Sequence, residues 1–169
     1  LHGGARGVGR PDAQLVLVGP VTVETYHRKL QQYIERTGLQ GRITLIPGLA
    51  ADDPLLRGAY HAADVFCLPS LHEPFGIVVL EAWAYQRPLI TTLFRGAREI
   101  TTHGEDAYCV PCDDAAALAD ALRLLIADTG LRRQLVEGGR ATLQRNFGEP
   151  MVMSQYEQLY RHLTVIGPA

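Results

Sequence analysis

Lysine is almost missing from this chain: Lys29 is the only one among 169 residues, and the remaining basic charge sits on scattered arginines. No run of Lys and Arg marks a nucleic-acid-binding face, and the formal net charge is only −2. No apolar stretch approaches the roughly 18 residues that a membrane span needs. The opening, LHGGARGVGRPDA, has no apolar stretch after a charged start, so it does not read as a secretory leader. Gly3, Gly4, Gly7 and Gly9 precede the first strand and lack G-x-G-x-x-G spacing, which argues against a dinucleotide-binding oxidoreductase. No His/Asp/Glu set has the spacing of a metal site. No internal repeat or low-complexity segment occurs.

Cysteine is also scarce. Cys67, Cys109 and Cys112 are an odd, small number, which suits a reducing, cytoplasmic compartment. Cys109 and Cys112 form a C-x-x-C just before a predicted helix start, a spacing used by redox thiolates. Asp113 and Asp114 follow directly and disfavour a thiolate, so the pair reads better as two small buried residues at a strand end. What is present is ordinary for a soluble globular protein: 47% apolar and 20% charged residues. The length fits one domain over 1–169 with a real core.

Taken in order, residues 1–10 resemble the frayed end of a helix. Residues 14–19, QLVLVG, are a fully apolar run ending in Gly-Pro and predict a buried parallel strand. A helix is predicted over 21–37, with Gly38 closing it. A second strand follows over 42–46. Asp52 and Asp53 before Pro54 are an N-cap and first-turn signal for the next helix. A third strand over 65–68 leads to a loop and a helix that stops at Arg87-Pro88. Strands are predicted over 89–92 and 107–110, with a loop and short helix over 96–100 between them. Helices opening at Asp114, at Gly130 and at Glu149 complete the chain, the last over 149–163. This alternation predicts a Rossmann-like parallel sheet with helices on both faces. Ligands bind such sheets at the carboxyl ends of strands. That places Gly19, Gly48, Glu73 and Gly96 at such ends.

The chain is organised around SLHEPFGIVVLEAWA, residues 70–84. Glu73 sits in the loop after a strand. Glu81, eight residues on, lies about a turn and a half into a helix opening near Gly76, roughly 7 Å along its axis. The unpaired N–H groups at that helix start form a seat for phosphate. Carboxylates beside such a seat are suited to accept hydrogen bonds from hydroxyls on either side of it. Ribose, diphosphate and sugar have that layout. The bland readings stand beside this one. Glu81 could be a structural charge on a helix crowded by Val78, Val79, Leu80, Ala82 and Trp83, where burial is costly without a partner. Glu73 could simply interact with the helix dipole. His72 reads as a loop histidine lining the site. Glu99 either sits at a donor rim or starts a short helix. His61 and His103 read as surface residues.

The run ADVFCLPSLHEPFGIVVLEAWAYQRPLITT, with its E-x7-E spacing, resembles the donor-binding core of retaining GT-B glycosyltransferases, in particular glycosyltransferase family 4. The likeness continues through REI at 98–100, HGEDAYCVPCDDAAALADAL and QYEQLYRHL, and so covers the chain from Ala13 onward. The resemblance implies the C-terminal half of a GT-B fold and transfer of a hexosyl unit from a UDP-, GDP- or ADP-sugar, with retention. It implies that Glu81 accepts from the ribose hydroxyls. Glu73 is the catalytic candidate, holding a donor-sugar hydroxyl near the reacting carbon. The amides of Phe75, Gly76 and Ile77, with Val78, meet sugar and diphosphate. Gly48 and Leu49 line the base, and Gly19 lies at the same strand-end edge. No cofactor or metal is implied, and no Asp-x-Asp motif is present.

Departures from the family pattern carry expectations too. The family places an Arg and a Lys after a strand some thirty residues before Gln14, and an acceptor-binding N-terminal domain before that. Neither is in this sequence, and Arg6 and Arg10 sit too close to the Val16 strand to replace the pair. Arg87 replaces the usual small residue before the proline, and Pro20 removes a backbone N–H that could face the ligand. The isolated chain is therefore expected to be an inactive donor-binding half. Any membrane contact is expected through the N-terminal domain, at the inner face of the membrane. Self-association is expected through an exposed sheet edge. The alternative is a noncatalytic nucleotide-binding or assembly module of the same fold. The acceptor is left open.

Overall fold

A computed structural model describes residues 12–165. The reading of residues 1–10, with Arg6 and Arg10, lies outside the described residues. The sequence reading treats the chain as one domain; its contacts gather into two compact units, residues up to 63 and residues from 64 on.

The first unit is β1 (Leu15–Gly19), α1 (Glu24–Arg36), β2 (Ile43–Pro47) and α2 (Pro54–Ala62). The two strands run parallel in register, from Leu15 opposite Ile43 to Gly19 opposite Pro47. α1 starts at Glu24, three residues later than the sequence reading, with Val23 extended as its N-cap residue. Gly38 ends α1 in the left-handed region at φ 68°. There its N–H donates to the Glu35 carbonyl, and Leu39 N–H donates to that of Ile34. This is the paired C-terminal closure that glycine favours. Asp53 caps α2 by accepting from Leu55 N–H at 2.8 Å, with Pro54 in the first turn. One expectation fails here. β1 is a strand but not a buried one: all five residues are exposed, Leu15 at 46% and Val16 at 48%. Among the described residues its ladder has a single partner strand, β2, and a run apolar enough for a central strand stays 38–48% exposed from Leu15 to Val18.

The second unit is β3 (Phe66–Leu68), α3 (Ile77–Ala84), β4 (Leu89–Thr92), α4 (Arg95–Ile100), β5 (Tyr108–Val110), α5 (Ala115–Ala127), α6 (Thr129–Phe147) and α7 (Glu149–Val165). Its sheet is parallel in the order β3-β4-β5. β4 is central and wholly buried. Because side chains alternate across a strand, Leu89 and Ile90 enter opposite cores. Leu89 joins Val79 and Trp83 of α3 with Ala107. Ile90 joins Val110, Ala121, Leu125 and Leu135. α6 contributes to both, through Leu135 to one and through Leu143 and Phe147 to the other. Asp114 and Asp128 cap α5 and α6 by accepting from Ala117 N–H and Leu131 N–H, each at 2.9 Å.

α3 is clasped from behind. Trp83 is 1% exposed, and its indole N–H donates to the Asp106 carbonyl at 2.9 Å. α6 crosses this point with Gly138 and Gly139. A Cβ on Gly139 would collide with the Trp83 ring, and one on Gly138 with the Glu105 carbonyl. The Asp106 side chain is buried as well. It accepts from Thr102 N–H at 2.7 Å and from the Thr142 hydroxyl at 2.9 Å. Burial holds its carboxyl above the usual aspartate value, although both hydrogen bonds act in the opposite direction.

An aspartate with a raised folded-state pKa carries an ionisation cost above that pKa, and the cost is relieved as pH falls through it toward the ordinary carboxylate range. Asp106→Asn should flatten this part of the stability–pH curve, read by urea denaturation at successive pH values. Asp106→Ala, which strands Thr102 N–H and the Thr142 hydroxyl, should cost about 1–3 kcal/mol. An unchanged curve in the Asn variant would remove Asp106 as the titrating group.

Candidate functional site

The carboxyl ends of the strands carry the residues singled out from sequence, each within its own unit. In the first unit, Gly19 is the last residue of β1 and pairs in register with Pro47. Gly48 follows at φ 76° with its N–H bonded to the Ile46 carbonyl. A Cβ there would lie 3.6 Å from Pro20 Cα, so the two strand-end turns are neighbours. Leu49 is half-buried. An apolar groove of about 510 Å³ opens at this end, with Gly19, Pro20, Tyr26 and Pro47 among its walls.

In the second unit the chain leaves β3 at Leu68 and enters α3 at Ile77. Gly76 is the N-cap residue, in the left-handed region at φ 86°, ψ 54°, with no side chain to cap the helix. Only glycine takes this conformation without strain. The N–H groups at the start of α3 therefore meet no capping side chain. Glu73 is half-buried, and its Oε1 accepts from Gly76 N–H at 3.2 Å. This realises the bland reading of Glu73 as a carboxylate at a helix start. It also holds the carboxylate within hydrogen-bond reach of one of the amides assigned to the ligand. Ile77 is 66% exposed and Phe75 43% exposed, and Val78 is half-buried. The Phe75 ring meets Phe147 edge-on at 6.2 Å.

α3 buries one stripe only, Val79, Ala82 and Trp83. Glu81 is half-buried. At helical spacings of four and three it shares a face with Ile77 and Val78. Glu81 therefore lies on the side away from the core stripe, on a helix that is partly covered elsewhere. Glu73, Phe75, Gly76, Ile77, Val78 and Glu81 are brought together around one helix start, with carboxylates before it and one turn inside it.

Several residues that the sequence reading passed over or only mentioned hold this loop in place. The Thr92 hydroxyl donates to the Ser70 carbonyl at 2.5 Å, and the Thr91 hydroxyl lies 3.4 Å from the Leu68 carbonyl. Phe94 and Gly96 lie under the 74–76 segment. A pair of threonines at a strand end carries no sequence signal for such a role. Arg87 donates from Nε to the Tyr85 carbonyl at 2.8 Å, beyond the far end of α3.

The remaining candidates separate from the site chemistry. Cys109 lies in β5 with its thiol pushed up by burial, the opposite of a reactive thiolate. Cys109 is half-buried and Cys112 exposed, so the expectation of two buried cysteines is met only in part by the first and fails for the second. His72 is exposed. Glu99 lies in the last turn of α4, not at its start, 3.7 Å from the Arg95 guanidinium in an exposed pair. His61 and His103 are exposed, as expected, and His103 Nδ1 accepts from Cys109 N–H at 3.0 Å. Among the described residues no three His, Cys, Asp or Glu side chains cluster as metal ligands. None of the described helices is long and apolar enough to cross a membrane.

Comparison with known proteins decides the family. Residues 6–142 match the model of Glycosyl transferases group 1. The chain belongs to that family. Among curated relatives of this group 1 chain, it is 34% identical over 132 residues to the lipopolysaccharide core biosynthesis glycosyltransferase LpsD of Rhizobium meliloti, covering 78% of this chain and 37% of LpsD. Its fold matches Anabaena Alr3699/HepE, solved in complex with UDP-glucose, at a TM-score of 0.78 and 27% identity, over 92% of this chain and 42% of that one. It also matches the C-terminal domain of the group 1 protein LpcC from Francisella tularensis, at a TM-score of 0.67 and 28% identity, over 75% of this chain and 64% of that one. The group 1 chain thus has the α/β architecture of the C-terminal half of GT-B glycosyltransferases, and spans about two fifths of the length of LpsD and of HepE.

The Glu73–Gly76 hydrogen bond is testable directly. Glu73→Ala should speed hydrogen exchange at the Gly76 amide by about ten- to a hundredfold, in line with a net strength of about 1.5–3 kcal/mol for a bond to a carboxylate, and leave β4 amides unchanged. Equal rates in both proteins would mean that the bond is not formed in solution.

Proposed function

We propose that this chain is the donor-binding half of a retaining, family 4 glycosyltransferase that takes a nucleoside diphosphate sugar and passes its hexosyl unit to an acceptor. One observation carries the reading. The N-terminal amides of α3 sit without a side-chain cap, between a carboxylate before the helix and another one turn inside it. In this reading the α3 amides and dipole bind the diphosphate and stabilise the charge it gains on leaving, which is the main catalytic lever of such a transfer. Glu81 accepts from the ribose hydroxyls. Glu73 exchanges its Gly76 N–H for a hydroxyl of the donor sugar and holds that ring near the reacting carbon. No metal or cofactor is required in this scheme. The reading places the enzyme in the cytoplasm, where nucleotide sugars are the donor chemistry. It is supported by the UDP-glucose complex of the similar Anabaena protein.

Calorimetry with UDP, GDP and ADP tests the donor site. At least one should release heat on binding. Glu81→Ala should weaken that ligand by about 10- to 100-fold, the value of charge-assisted hydrogen bonds to two hydroxyls. A folded chain that binds none of the three, or binds equally well without the Glu81 carboxylate, would overturn the assignment. The exposed β1 edge gives the same reading a partner expectation: light scattering should show concentration-dependent association, which a charge introduced at Val16 (Val16→Lys) should suppress. A monomer at all concentrations would dismiss it.

A further inference from the structure

The turn from β4 into α4 lies under the donor loop, and its contacts are more specific than packing alone requires. Gly96 is buried and has an ordinary negative φ, so its lack of a side chain is not explained by backbone conformation. Space explains it. A Cβ on Gly96 would lie 2.8 Å from the Phe75 carbonyl oxygen, 2.9 Å from the Pro74 carbonyl oxygen and 3.0 Å from Phe75 Cα. Two successive carbonyls of the EPFG loop therefore rest on the bare Cα of Gly96. Beside it, the Phe94 ring, 2% exposed, lies under Gly76: a Cβ on Gly76 would be 3.2 Å from Phe94 Cζ.

This has a directional consequence. Every described peptide bond is trans, and in a planar trans peptide the carbonyl of one residue and the N–H of the next point in opposite directions. With the Pro74 and Phe75 oxygens turned toward Gly96, the N–H groups of Phe75 and Gly76 are turned away from α4. The Gly76 N–H does point elsewhere, to Glu73 Oε1. These are two of the amides assigned to sugar and diphosphate.

We propose that Gly96 and Phe94 are positioning residues: they form a bed that fixes the orientation of the Phe75 and Gly76 peptides, and so the direction of the donor-binding N–H groups. The bed itself touches no donor. The proposal rests on the reading of the α3 start as the donor seat. It goes further by making the β4–α4 turn the element that sets the seat's geometry. Any side chain at position 96 must lift the loop by several tenths of an ångström or tilt both peptides. A hydrogen-bond array aimed at a phosphate is sensitive to displacements of that size.

The experiment compares Gly96→Ala, Phe94→Leu and Ala121→Gly, the last a core change in the cluster around Ile90 and Leu125. Two readouts are taken: backbone amide chemical shifts, and UDP, GDP and ADP affinity by calorimetry. Gly96→Ala should move the Phe75, Gly76 and Ile77 amide resonances and weaken the bound nucleotide by about tenfold or more. Ala121→Gly should lower the thermal midpoint without either effect. Should Gly96→Ala fail to fold, Phe94→Leu decides, with the same shifts expected from a folded protein. Unmoved loop amides in a folded Gly96→Ala or Phe94→Leu variant would overturn the proposal. So would moved amides with unchanged affinity in a chain that binds nucleotide. If the wild-type chain binds no nucleotide, the donor assignment falls, while the amide shifts still decide whether the bed orients the loop.

Discussion

The clasp on Trp83 is the constraint on which the second unit depends. α3 is only eight residues long, too short to be stable by itself, so tertiary contacts must hold it. The indole supplies them in two directions. Its N–H is satisfied by the Asp106 carbonyl, and its ring fills the space that Gly139 leaves open on α6. The Asp106 side chain then ties the same loop to Thr102 and to Thr142 on α6. Three elements far apart in sequence thus meet at one aromatic side chain. The position of α3, and of everything α3 carries, follows from it.

From that anchor the geometry runs outward to the helix start. Trp83 and Val79 fix the inner stripe of α3, which leaves the face of Ile77, Val78 and Glu81 turned away from the core. At the N-terminus the chain reverses through the left-handed Gly76 and is supported from below by Phe94 and Gly96. The site is therefore pinned at both ends of a short helix: by an indole behind and by a glycine bed in front. Loops that bind ligands are commonly supported by rigid elements in this way. Here the rigid element is the buried central strand β4, whose Thr92 also holds the Ser70 carbonyl.

Much of this could be read from the residues. Asp53, Asp114 and Asp128 sit at N-caps where local chemistry decides the structure, and two of the three were evident beforehand. Glu73 and Glu81 were recognisable because their spacing brackets a helix start at Gly76. Burial was not legible at β1. QLVLVG has the composition of a central strand, but exposure depends on which strands lie beside it, and composition does not encode neighbours. Nor could the roles of Gly96, Gly138 and Gly139 be seen. Each is a glycine because another segment, 20 or more residues away in the chain, comes too close for a Cβ. Such a requirement exists only in three dimensions. Cys112 failed for a similar reason: a two-residue spacing from a strand residue does not say on which side of the strand's end the chain turns.

The hydrogen bond from Gly76 N–H to Glu73 bears on how a donor would enter. If Glu73 is to hold a sugar hydroxyl and Gly76 N–H is to meet the diphosphate, both partners must leave each other first. A hydrogen bond to a carboxylate has a net value of about 1.5–3 kcal/mol, and a diphosphate would offer the same amides charge-assisted bonds of the same kind in its place. The exchange also conserves hydrogen bonds: the carboxylate gives up an N–H and gains an O–H, while the amide trades one anionic acceptor for another. On the proposed reading, Glu73 keeps the amide aimed and its own half-buried carboxylate satisfied until a donor hydroxyl replaces the N–H. The bland reading of Glu73 as a helix-start carboxylate and its ligand role then describe two states of one residue. What the exchange requires is that the loop backbone stay still while the side chain moves, and the carbonyls resting on Gly96 provide that.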